Sequence, residues 1–186
     1  MDGIHTFTTA DIIGGSGVIL ERYPLGSQFT LRDLLRLNIS ESDNVATYML
    51  RRIHGINGYR QFIADMGGNP YLIGNRIMDS NLTANEAGLH AREIFAYIES
   101  GGMYSHELKA GLLNNQFPFI VADYPIASKT GWTAPYAWHD MAIVYAPSPF
   151  ILVILSARAG WRDADFADFA EISMAFQEFN DYWFVR

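Results

Sequence analysis

Ile126-Ala127-Ser128-Lys129-Thr130-Gly131-Trp132 is the stretch on which the reading of this chain turns. Its β-branched and aromatic residues make it a strand. Two further strands follow, over Met141-Ala146 and Phe150-Ala157, with Pro147-Ser148-Pro149 as a tight antiparallel connection. Upstream of Phe117 the period is helical. Thr30 and Asp33 form a capping box that opens a helix over Leu31–Leu37. A second helix runs from Asp43 to His54, with Gly55 where a left-handed cap is required. Asn57 caps a third, which buries Phe62 and Ile63 and stops at Gly67-Gly68. Residues 69–82 read as an irregular loop with turn signals at Asn69-Pro70 and Gly74-Asn75. Thr83 and Glu86 repeat the capping-box pattern ahead of a long helix to Ser100, and Ser105 caps a shorter one near His106–Asn115. Beyond the strands, Arg162–Trp183 returns to helical spacing with Phe166, Phe169, Ile172, Phe176 and Phe179 along one side, a pattern that reads as core. The plan is a helical part over 1–118 interlocked with an antiparallel sheet and covering helix over 119–186.

Composition narrows the function classes. With 186 residues, 49% of them apolar and only 18% charged, the chain can fill a core and is not disordered. Thirteen basic against 20 acidic residues give a net charge of −7, with no basic run, which argues against nucleic acid as a partner. There is no cysteine, so disulfides, thiolate metal sites and cysteine nucleophiles are excluded together. The five histidines lack metal-site spacing, and His139-Asp140 reads as structural, at a strand edge. No cofactor or metal is expected. No apolar run is long enough to span a membrane, and no basic segment leads into an apolar one as in a signal peptide.

Two short strings carry the chemistry. Ser42-Asp43-Asn44 stands at the head of a helix, and Lys129-Thr130-Gly131 lies on the first strand of the sheet. Singly, each has a bland reading as a cap or a strand end. Together and in this order they resemble the class A β-lactamases and penicillin-binding proteins, in which such strings accompany a Ser-x-x-Lys nucleophile motif. The stretches Ala10–Val18, Leu31–Leu35 and His139–Tyr145 resemble the same family, so the likeness runs over essentially the whole chain.

The resemblance implies an α+β fold: a helical subdomain beside an antiparallel sheet with a packed C-terminal helix. It implies acyl-enzyme chemistry on β-lactams or D-Ala-D-Ala stem peptides by an exported serine hydrolase. Lys129 and Thr130 would hold the substrate carboxylate, and Gly131 would let the substrate backbone approach the strand. Ser42 would relay a proton to the leaving nitrogen, and Asn44 would bond the substrate's side-chain amide. The backbone N–H of Trp132 or Thr133 would form part of the oxyanion hole.

Two departures qualify this. Ile126 stands three positions before Lys129 and His106 three before Lys109, so Ser-x-x-Lys is absent. The expectation is therefore a truncated form holding the substrate-recognition half, with the nucleophile helix and two leading strands missing, and inactive alone. The rival reading is a non-catalytic binding module with the same fold. Residues 67–82 also lack a Glu to serve as deacylation base, Asp79 being their only acid. That points to a D,D-peptidase or transpeptidase rather than an efficient β-lactamase. The resemblance implies that those leading strands pair beside Phe150–Ala157, so their absence would leave Ile151–Leu155 as an open apolar edge, inviting a dimer, a strand swap or a complementing chain.

Overall fold

The computed structural model describes residues 3–74, 81–133, 137–156 and 163–185. Its main sheet has three antiparallel strands in the order β3-β4-β5: β3 over Ile126–Thr133, β4 over Ala137–Val144 and β5 over Phe150–Ser156. Lys129 stands opposite Met141, Thr130 opposite Asp140 and Trp132 opposite Trp138. β4 begins four residues before the expected Met141, because Ala137–Asp140 alternates half-buried with buried side chains and continues the ladder from Thr133. It is the central strand, so His139 lies mid-sheet and not at an edge. A two-stranded sheet that the sequence reading did not foresee joins β1 (Ile4–Thr6) to β2 (Gln28–Thr30). Three-residue strands carry too little pattern to be read.

The helical part comprises the short α1 (Ile19–Arg22), α2 (Leu31–Ser40), α3 (Asn44–His54), α4 (Ile56–Asp65), α5 (Ala84–Glu99) and α6 (Ser105–Leu113). The Thr30–Asp33 box forms in both directions, with Asp33's amide bonded to the Thr30 hydroxyl and Thr30's amide bonded to the Asp33 carboxyl. Phe7, Ile19, Leu34, Leu37, Val45 and Met49 pack as the core beneath α2 and α3. A second cluster of Ile39, Ile98, Leu112, Ala127 and Ile143 joins α2, α5 and α6 to the main sheet. It locks the two motif-bearing elements into one frame.

Several local expectations change. Gly55, at φ 74°, precedes α4, so Asn57 lies inside its first turn and does not cap it. Phe62 faces solvent while Ile63 is buried. Ser105 is the first residue of α6, behind Tyr104. Only half of the Thr83–Glu86 box forms: Thr83 accepts from the Glu86 amide, but the Glu86 carboxylate turns away. Gly74 ends one described stretch, and the turn expected at Gly74-Asn75, like Asp79 and Arg162, lies outside the described residues.

The C-terminal helix α7 (Asp163–Phe184) differs most. Of its expected apolar side only Phe169 is buried; Ile172, Phe176 and Phe179 are exposed. The inward face is instead Phe169, Ser173, Gln177 and Asn180. Gln177 exchanges bonds of 2.8 Å each with the amide and the carboxylate of Asp123, and Asn180 donates to the Ser148 carbonyl at 3.0 Å. These polar anchors orient the helix, because leaving such groups buried and unbonded would cost more than exposing aromatic surface gains. No described helix is long and apolar enough to cross a membrane.

Candidate active site

The site is built at the junction of α2 and α3. Ser42, at φ 51°, is the one non-glycine residue with positive φ among the described residues. Such a backbone is costly for a residue with a side chain and persists only where its surroundings enforce it. The enforcement comes from Asp43, which is 1% exposed. Its Oδ1 accepts from the Ala46 amide at 2.9 Å, capping α3. Its Oδ2 accepts from the amides of Val18 at 2.6 Å and Ile19 at 2.8 Å. Asp43 thus fastens the segment ahead of α1 to the start of α3.

That segment, Gly14-Gly15-Ser16-Gly17, wraps the Ser-Asp-Asn loop, a role the sequence reading did not foresee. The Ser16 hydroxyl donates to the Ser42 carbonyl at 2.7 Å, and the Asn44 amide donates to the Ser16 carbonyl at 3.0 Å. The Asn44 side chain donates to the Gly14 carbonyl at 3.0 Å. A Cβ on Gly15 would overlap the Asn44 amide, and one on Gly17 would come within 2.6 Å of the Asp43 Cα; both have positive φ. The paired glycines were the available signal.

β3 brings the second motif. Lys129 Nζ donates to Ser42 Oγ at 2.6 Å, across 87 residues of chain, and to the Thr130 carbonyl at 3.1 Å. Burial holds the Lys129 ammonium below its ordinary pKa, with Asp140 pulling the other way. Strand alternation separates the neighbours in the motif. Lys129 faces Ser42, whereas Thr130 is buried on the opposite face, across from Asp140. Gly131 borders open space. Trp132 is 41% exposed and stacks on buried Trp138 with ring centres 6.2 Å apart. Thr133 ends the strand opposite Ala137. β3 is an outer strand, so alternate backbone N–H and C=O groups along its free side are open to a ligand.

Behind β3, Asp140 is 1% exposed, and its Oδ2 accepts from the amides of Phe119 at 2.8 Å and Ile120 at 2.9 Å. Burial raises its pKa to about 6, against the pull of those backbone N–H groups and of Lys129. Its buried Oδ1 has no hydrogen-bond partner among the described residues. Glu86 is structural: it is 7% exposed, and its Oε1 accepts from the Asn69 amide at 2.6 Å, tying the loop after α4 to α5.

A family model described as the beta-lactamase enzyme family matches the chain over residues 2–179. The chain belongs to that family. Family members are β-lactamase-like serine hydrolases. A comparison with curated protein sequences finds no match. Among solved structures, the chain is similar to a β-lactamase from Sphaerobacter thermophilus, with 22% identity and a TM-score of 0.78, over 95% of this chain and 72% of that one. It is similar to the penicillin-binding protein PBP-A, with 18% identity and a TM-score of 0.76 over the same shares. A PBP-A mutant solved as an acyl-enzyme complex with penicillin G matches at 17% identity, a TM-score of 0.73, and 95% and 72% coverage. Identities this low establish the fold of β-lactamases and penicillin-binding proteins, which is the α+β arrangement expected from the motifs.

Proposed function

We propose that this chain carries the substrate-recognition half of a β-lactam- or D-Ala-D-Ala-recognising serine hydrolase, and that the acylated serine lies outside these 186 residues. The 2.6 Å contact between Lys129 Nζ and Ser42 Oγ carries the reading. A lysine that donates to the serine oxygen leaves the serine's own proton free to pass to a leaving nitrogen. The same ammonium stands beside the free side of β3, where a substrate carboxylate can meet it. We assign carboxylate recognition chiefly to Lys129, because the Thr130 side chain is buried on the far face. Gly131 leaves room for the substrate backbone, Asn44 lies beside Ser42 for the substrate's amide, and the N–H of Trp132 or Thr133 is assigned to the oxyanion.

Support for the missing nucleophile is the sequence itself: neither lysine has a serine three positions before it. Glu86 is committed to Asn69, so we favour the chemistry of a D,D-peptidase or transpeptidase over rapid β-lactam turnover. Either substrate class lies outside the cytoplasm, where we place the parent protein.

The test is benzylpenicillin binding followed by ligand-observed NMR, together with intact-protein mass spectrometry. Reversible binding without a mass increase is expected, and Lys129→Ala should weaken it about tenfold or more, the loss of one charge-assisted bond. A stoichiometric covalent adduct would overturn the absence of a nucleophile. Binding untouched by Lys129→Ala would overturn the assigned site.

A further inference from the structure

We infer that an aromatic cavity beside the end of β3 takes an uncharged aryl group, carried by the ligand on its carboxylate-bearing side. The substrate class is then a peptide or β-lactam with a bulky aromatic substituent at that position, where D-Ala has a methyl. This deepens the proposed function and rests on its placing of the ligand along the free side of β3. The cavity itself stands at the opposite side of the sheet from the open edge of β5, two strands away.

Strand alternation puts Ser128, Thr130 and Trp132 on the face of β3 turned away from Ser42. The segment from Asn115 to Ile120 is fastened against that face at both ends. The Asn115 side chain donates to Ser128 Oγ at 2.7 Å and accepts from the Phe117 amide at 3.2 Å. At the far end the Phe119 and Ile120 amides are held by Asp140. Between this segment, β3 and the start of α7 lies a cavity of about 520 Å³. Its floor is the buried pair Phe119 and Trp138, edge to face with ring centres 5.4 Å apart. Phe166 closes one side, 5.3 Å from Phe119 and 5.6 Å from Trp138. The rim is formed by rings left open: Phe117 is 63% exposed, Trp132 41% and Phe166 38%.

The lining selects the chemistry of the occupant. Among the described side chains around the cavity only Gln116 is polar, and none is charged. A carboxylate or ammonium would lose its water there without replacement, so the charged end of a ligand stays with Lys129. An aryl ring meets ring faces and edges instead. A dry apolar cavity of about 150 Å³ already accepts benzene, so there is room here for a phenyl or a bicyclic ring. Because both ends of the aromatic wall are hydrogen-bonded in place, little ordering is required on binding. Position follows from β3. A ligand paired along a free strand edge sends successive groups to alternate faces. With its amide directed to Asn44 on the Ser42 side, the group on its carboxylate-bearing carbon is directed to the other face, where the cavity opens. Trp132 lies two residues, about 7 Å, beyond Thr130 on that face. An arylmethyl side chain covers most of this distance and a methyl does not.

The experiment is a set of ligand-observed NMR titrations on the 186-residue protein, comparing N-acetyl-D-Ala-D-Phe with N-acetyl-D-Ala-D-Ala. The aromatic peptide should bind about tenfold tighter or more, since a ring buries far more apolar area than a methyl. Both peptides should weaken with Lys129→Ala. Phe117→Ala and, separately, Phe166→Ala should largely abolish the preference; both rings stand on the rim, and circular dichroism checks that each variant is folded. Equal binding of the two peptides would overturn the cavity assignment and leave the proposed function standing, as would failure of both while benzylpenicillin still binds. A preference that survives both rim substitutions would also overturn it, and so would N-acetyl-D-Ala-D-Glu binding as tightly as the D-Phe peptide. Failure of benzylpenicillin and both peptides together would overturn the proposed function, and this inference with it.

Discussion

Asp43 offers the sharpest test of how the candidate site is held. Its carboxyl is the common acceptor for three backbone N–H groups, those of Val18, Ile19 and Ala46, at 2.6 to 2.9 Å. Asp43→Ala removes both acceptor oxygens, and with them all three bonds, from a position that is 1% exposed, where water does not readily replace them. Each buried amide left unbonded costs about 1–3 kcal/mol, so losing all three bonds should cost roughly 3–9 kcal/mol. Whole-domain stabilities run at about 5–15 kcal/mol, so the variant should fold marginally or lose ten degrees or more of melting temperature. Asp43→Asn keeps one carbonyl acceptor and should cost about half as much. Urea denaturation followed by circular dichroism gives the free energies, and hydrogen exchange at Val18 and Ile19 gives the local effect. A loss below about 1 kcal/mol for Asp43→Ala, or unchanged protection at Val18 and Ile19, would refute the idea that this carboxyl fastens the glycine segment to α3.

Gly17→Ala should destabilise by more than about 1 kcal/mol on the same denaturation assay, because φ is +118° and the new methyl would meet Asp43. Asp140 should make stability fall as pH rises. Its proton is held more tightly folded, with a pKa of about 6, than unfolded near 3.8, so its stabilising share is full below about pH 4 and lost by about pH 6. The shift corresponds to about 3 kcal/mol. Asp140→Asn keeps an acceptor for the Phe119 and Ile120 amides and should remove that slope, leaving a variant at least as stable as the wild type at pH 7. Ser42→Gly should relieve the positive-φ strain and stabilise the fold by a few tenths of a kcal/mol to about 1 kcal/mol, read as a rise in the urea midpoint.

Much of the local structure was legible because local rules dictate it. The Thr30–Asp33 box, the Asp43 cap on α3 and the strand character of Ile126–Trp132 depend on residues a few positions apart, and all three formed. Where local signals competed, the reading went astray. Asn57 and Ser105 are good caps, yet the helices start earlier, since Ile56 and Ser105 are themselves needed inside α4 and α6. Glu86 has the spacing of a capping-box partner, yet the Asn69 amide, brought close only by the fold, claims its carboxylate. The motif residues were identifiable from their order along the chain. Their geometry was not: nothing in the string Lys-Thr-Gly tells that Lys129 faces Ser42 while Thr130 turns to Asp140.

The amino-acid sequence alone determined the types of the longer elements, the helical and sheet parts, the family resemblance and the absence of Ser-x-x-Lys. Each follows from short-range periodicity, capping chemistry or plain counting. Tertiary structure alone decided which face of α7 turns inward and which lysine meets Ser42. α7 is apolar on several sides, so its period has no unique inward phase. That phase was set by Asp123 and Ser148, far away in the chain, which offered hydrogen bonds to Gln177 and Asn180 and left the aromatic stripe outside.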